Sequence, residues 1–80
     1  MALTLIFLGR LEEAAGGGSR TVAFVPSIDA LLDGLEPELA SVLRGPRVKC
    51  AVNGAVLQEG DAPALGDGDE IAFLPPVSGG

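Results

Sequence analysis

From Ala2 to Leu8 the chain alternates, with Leu3, Leu5 and Phe7 on one side of a period-two ladder and Thr4, Ile6 and Leu8 on the other. Both sides are largely apolar, which predicts a central strand with the core on one face and a partner or loop on the other. Gly9 ends this strand, and Arg10 to Ala15 has room for one helical turn before the connector Gly16-Gly17-Gly18-Ser19. Arg20 to Val25 alternates again and is rich in β-formers, so a second strand hairpinned to the first is expected, stopped by Pro26. Ser27 is a good N-cap. Ile28, Leu31, Leu32 and Leu35 follow it at helical spacing, with Asp29 near the positive end of the macrodipole. Gly34 and Pro37 predict an interruption, beyond which Leu39, Val42 and Leu43 continue an apolar face up to Gly45-Pro46. Val48 to Val52 predicts a third strand, and Asn53-Gly54 is a strong hairpin signal returning through Ala55, Val56 and Leu57. Pro63, Leu65 and the turn Gly66-Asp67-Gly68 lead into a last strand, Glu70 to Leu74.

The order β, β, α, β, β, β predicts a small α+β roll. Its natural form is a β-grasp: a mixed sheet of about five strands with one main helix packed on one face. The domain is expected to span residues 1–76, with residues 77–80 as a flexible C-terminal tail. No internal repeat or second domain is indicated.

The chain has 80 residues, with 11 Asp and Glu against 5 Lys and Arg and no His, giving a net charge of −6 at pH 7. That length holds one domain, and 48% hydrophobic residues are enough to fill one small core. The acidic balance argues against nucleic acid or an anionic membrane and for a basic partner, because phosphate binding needs clustered cations. One Cys without His removes zinc sites and imidazole-dependent nucleophilic catalysis, and it excludes an internal disulfide. The apolar run from Ala2 to Leu8 is too short for a membrane span and wrongly flanked for a signal peptide, so a cytoplasmic protein is expected.

Four features invite a chemical reading. The three consecutive glycines lack the lysine and the spacing of a phosphate loop, so a turn is expected. Cys50 lies mid-strand with nothing to activate it, and a structural thiol is expected. Asp67, Asp69 and Glu70 fit turn chemistry and fall short of a calcium ligand set, and no metal site is expected. The fourth is the ending Pro75-Pro76-Val77-Ser78-Gly79-Gly80. The prolines cannot donate to a ladder and favour extended geometry, so the remainder projects from the sheet, reaching roughly 13 Å beyond Pro76 when fully extended. Gly79 and Gly80 can thread a narrow passage, leaving the terminal carboxylate as the functional group. An inert, frayed end fits the composition too.

The stretch from Gly66 to Gly80 closely resembles the C-terminal signature of the ubiquitin-like sulfur carriers, the MoaD/ThiS family. Its Pro-Pro-Val-Ser-Gly-Gly ending is similar to the branch serving molybdopterin synthase rather than the thiamine branch. Phe7-Leu8-Gly9-Arg10-Leu11, with Glu13 to Gly16, matches the first strand and its exit, and Ala51-Val52-Asn53-Gly54 matches the central hairpin. The resemblance implies that an adenylating enzyme of the ubiquitin-activating type uses ATP and magnesium on the Gly80 carboxylate. A sulfurtransferase then supplies sulfur to form a thiocarboxylate. It implies further that Pro75, Pro76, Val77, Ser78 and Gly79 deliver this group into the large subunit of molybdopterin synthase, in a heterotetramer of two small and two large subunits. There sulfur passes to cyclic pyranopterin monophosphate. The chain itself would bind no cofactor and would not be an enzyme alone. The family's partner surface corresponds to Leu8, Val56 and Leu74, and strand parity puts Leu8 and Leu74 on the face away from the helix. An incidental aliphatic surface reads the same way. Glu12 stands where the family often has Arg. A sulfur carrier for thiazole synthesis and a ubiquitin-like protein modifier, with Lys49 as the sole lysine for chains on itself, are the alternatives.

Overall fold

The computed structural model describes residues 1–76; Val77, Ser78, Gly79 and Gly80, the expected tail, lie outside the described residues. The elements are β1 (Ala2–Phe7), α1 (Leu11–Ala15), β2 (Ser19–Ala23), α2 (Ile28–Asp33), α3 (Pro37–Leu43), β3 (Lys49–Val52), β4 (Ala55–Val56) and β5 (Glu70–Leu74). They form one mixed sheet of order β2-β1-β5-β3-β4, in which β1 and β5 run parallel at the centre and the other pairs are antiparallel. This is the expected β-grasp topology.

Strand parity decides which face meets the helices. Leu3, Leu5 and Phe7 of β1 and Ile71 and Phe73 of β5 are buried beneath Leu31, Leu32, Leu35, Leu39 and Leu43 of the helical layer. The parallel register sets Leu5 beside Ile71 and Phe7 beside Phe73, and the two rings stack with centroids 5.8 Å apart. The Arg20 guanidinium lies over the Phe7 ring at 5.9 Å and donates to the Ala15 carbonyl, closing the end of α1 over the core.

Several boundaries move for local reasons. β2 stops at Ala23, opposite Ala2, because β1 offers only one more group: the Phe24 amide donates to the Met1 carbonyl and the chain then leaves the sheet, with Phe24 and Val25 packed against the core. The helical layer is two short helices broken at Gly34, as expected. Ser27 accepts from the Ala30 amide to cap α2, and Pro37 starts α3. The restart corrects one expectation. With Leu39 and Leu43 facing the sheet, Ala40 completes the buried face, and Val42 points outward, 44% exposed. β3 begins at Lys49 because the Val48 amide is engaged by the Gly45 carbonyl in the turn after α3. The hairpin turn has Asn53 at φ 49° and Gly54 at φ 86°, the left-handed pair of a type I′ turn.

The stack at the sheet centre makes Phe73→Ala the costly substitution, with an expected loss of about 3–5 kcal/mol in urea unfolding. Val42→Ala, on the solvent side of α3, is expected to stay within about 0.5 kcal/mol. The described residues contain no disulfide and no group of metal-ligating side chains. Chelator and reductant are therefore expected to leave the thermal midpoint of both variants and the parent unchanged.

Candidate functional site

Because β1 and β5 are parallel, they finish at the same end of the sheet. The Leu8 amide donates to the Phe73 carbonyl (3.1 Å), which carries the ladder one step past β1 and brings Leu8 alongside Leu74. Gly9 then turns at φ +54° and lies so close to Pro75 that a Cβ there would sit 2.9 Å from the proline Cγ. Glycine is required twice over at this position, by backbone angle and by space. Pro75 and Pro76, both half-buried, follow β5 directly, and neither has an N–H to continue the ladder. The root of the tail is thus fixed against the exit of β1. Val77, Ser78, Gly79 and Gly80 lie outside the described residues.

The face away from the helices is apolar around this root. Register puts Val56, Ala51, Ala72 and Ile6 in one row across β4, β3, β5 and β1, with Lys49 and Leu74 paired in the next. Leu8 is 41% and Val56 50% exposed, and Leu74 is half-buried. The three residues expected at a partner surface therefore share one face, with Leu8 and Leu74 adjacent. Ala51 and Ala72 were not singled out from sequence, although their alternation with Cys50, Ile71 and Phe73 was the available signal. They leave the middle of this face low and flat.

The other candidates have structural roles. Cys50 pairs with Phe73 on the core side, and burial pushes its thiol up to about 11, so it is protonated at neutral pH. Gly16, at φ 79°, ends α1 by donating its amide to the Glu12 and Glu13 carbonyls, and the Gly18 carbonyl accepts from Phe7, so the glycine run is a chain reversal. The Asp67 carboxylate accepts from the Ala2 amide (2.7 Å). Asp69 accepts from the Gly66 amide (2.8 Å) and from the Asn53 side chain (3.0 Å), bonds that hold its carboxyl below the usual range. Asn53 in turn accepts from the Glu70 amide (2.9 Å). This latch joins the β3–β4 turn to the start of β5. It was not foreseen, because Asn53 carries a turn signal that hides its side-chain bonds.

The described residues thus offer a folded platform with an apolar face beside Pro75 and Pro76, and no assembled nucleophile and base. The ThiS family model matches residues 5–80. The chain belongs to the ThiS family. The molybdopterin synthase sulfur carrier subunit of Chlamydomonas reinhardtii is 31% identical over 85 residues, covering all of both chains. Among solved structures, the small archaeal modifier protein 1 of Methanosarcina acetivorans is 30% identical, with 99% of this chain and 96% of that one covered at a TM-score of 0.78. The complex of subunits 1 and 2 of molybdopterin-converting factor from Helicobacter pylori 26695 contains a chain 25% identical, fully covered on both sides, at a TM-score of 0.67. No helix among its described residues is long and apolar enough to cross a membrane.

Two outcomes follow from this geometry. Gly9→Ala is expected to cost about 1–3 kcal/mol in denaturant unfolding, from the left-handed backbone and the displaced Pro75. Alkylation of native Cys50 by iodoacetamide is expected to accelerate with an inflection near pH 11 instead of 9, because only the thiolate reacts and burial disfavours it.

Proposed function

We propose that this ThiS-family chain is the sulfur carrier of molybdenum cofactor synthesis, acting in the cytoplasm as the small subunit of molybdopterin synthase. The observation that carries this reading is the contiguity of tail root and apolar face: Pro75 leaves β5 against Gly9, beside exposed Leu8 and half-buried Leu74. A partner seated on Leu8, Val56 and Leu74 therefore meets the tail at its own surface. Full-length likeness to a molybdopterin synthase sulfur carrier subunit, and to a chain in a complex of subunits 1 and 2 of molybdopterin-converting factor, supports the same assignment.

The chemistry belongs to the Gly80 carboxylate. A carboxylate resists nucleophiles until an oxygen becomes a good leaving group. In the proposed cycle an adenylating enzyme of the ubiquitin-activating type, using ATP and magnesium, joins AMP to Gly80 with loss of pyrophosphate. Sulfur delivered at the sulfide level from a sulfurtransferase attacks the acyl carbon and expels AMP, giving the thiocarboxylate, a soft nucleophile. Pro75, Pro76, Val77, Ser78 and Gly79 carry it into the large subunit, whose pocket directs sulfur onto cyclic pyranopterin monophosphate, two small subunits serving two large ones. One further observation favours a second role: the likeness to small archaeal modifier protein 1 fits joining of Gly80 to lysines of other proteins.

Intact mass after incubation with the adenylating enzyme, ATP and a sulfur donor separates thiocarboxylate, isopeptide conjugate and unreacted chain. Thiocarboxylate on the parent is the expected product. Deleting Gly80 retracts the carboxylate by roughly 3.5 Å and is expected to lower its formation on the order of a hundredfold, with an unchanged thermal midpoint. Cys50→Ala should form it at the parent rate. A carrier that reacts equally well without Gly80 would refute the terminal-carboxylate chemistry. Leu8→Ala or Leu74→Ala is expected to weaken binding of the large subunit by about 2 kcal/mol, roughly thirtyfold in Kd by calorimetry.

A further inference from the structure

Two of the five basic side chains are engaged within the fold. Arg20 is paired with Glu36, and Arg44 with Asp29 and Asp33. The other three, Arg10, Arg47 and Lys49, are exposed and form no ion pair among the described residues. The topology gathers these three at one end. Lys49 is the register partner of Leu74, the last residue before Pro75, and Arg47 lies two residues earlier on the same approach to β3. Arg10 follows Gly9, which touches Pro75 from the β1 side. With β5 between them, β1 and β3 stand roughly 10 Å apart, so cations flank the tail root from both sides within about one Debye length. The nearby acids do not reach ion-pair distance: Glu12 is turned to Gly18, Glu13 stands one turn along α1 from Arg10, and Glu59 lies across an open groove from Lys49. Asp67, Asp69 and Glu70 sit at the opposite end, where β5 begins.

We propose that Arg10, Arg47 and Lys49 form a cationic collar around the tail root, and that its occupant is an acidic protein surface at the mouth of the site receiving the tail. This rests on the reading that the tail enters a partner. A chain of net charge −6 is repelled on average by an acidic surface. The collar makes the tail-first orientation the attractive one, so it orients the encounter and accelerates association more than it slows dissociation. It also refines the expectation of a basic partner drawn from net charge, since the surface that meets the tail root is governed by local charge of the opposite sign.

Stopped-flow association tests this with the full-length chain against two probes, the large synthase subunit and the adenylating enzyme, over about 20 to 300 mM salt. The variant Arg10→Gln with Lys49→Gln is compared with Ala23→Glu with Ala64→Glu. Each pair shifts the net charge by two, from −6 to −8, the second at exposed positions away from the tail. The collar predicts a parent association rate that falls about tenfold or more with salt. The Gln pair should be about five- to tenfold slower at low salt with a flattened salt dependence. The Glu pair should stay within about twofold of the parent, and dissociation rates and thermal midpoints should change little. Equal slowing by both pairs, or salt-independent association with the probes that bind, would overturn the collar and leave the synthase reading standing. Collar-dependent binding to the adenylating enzyme alone would keep the collar and remove the synthase reading. Failure of both probes to bind would remove both.

Discussion

The parallel pairing of β1 with β5 is the constraint on which the molecule depends. It joins the first strand to the last across most of the chain, and every other element is arranged to permit it. The intervening hairpin partner, the two short helices and the β3–β4 hairpin form the crossover and the flanks of the sheet. The stacked rings of Phe7 and Phe73 hold the pair from the core side, and the Asp67 bond to Ala2 holds it where β5 begins. Contacts of such high sequence separation are costly in loop closure and must be repaid by dense burial, which explains why these two strands carry the most deeply buried side chains.

The same pairing creates the geometry at the end of β5. Two parallel strands end together, so the last residue of the folded body leaves beside the exit of the first strand. Gly9 turns away there and lets Pro75 in, fixing the tail root next to Leu8 and Leu74. An antiparallel arrangement would have separated the tail from this apolar face. The domain is therefore a platform that fixes where the chain leaves β5, next to the apolar face, and the proposed carrier role rests on that placement.

Much of this was legible in the residues. The bounds of β5 and the parity of β1 follow from strict alternation, the I′ turn from Asn53-Gly54, and the helix break from Gly34 and Pro37, because each is governed by local backbone physics. Leu8 and Leu74 could be assigned to the outer face for the same reason. What escaped depends on three-dimensional placement. Val42 was misassigned because α3 restarts its phase at Pro37, and β2 was overextended because its length is limited by where β1 begins. The Asn53–Asp69–Glu70 latch and the Gly9–Pro75 contact join residues far apart in sequence, with no periodic signal to announce them. The cationic tail-root end was hidden for another reason: a net charge averages over the surface and conceals three exposed cations gathered by topology.

On the proposed function, the body of the domain sets how far the Gly80 end reaches. Single-turnover sulfur transfer tests it most directly: the thiocarboxylated chain is mixed with the large subunit and cyclic pyranopterin monophosphate, with and without one alanine inserted between Pro76 and Val77. The insertion shifts the terminus by roughly 3.5 Å and leaves the body untouched. A transfer rate lowered on the order of a hundredfold, with an unchanged thermal midpoint, is expected. Transfer at the parent rate by the lengthened chain would contradict it.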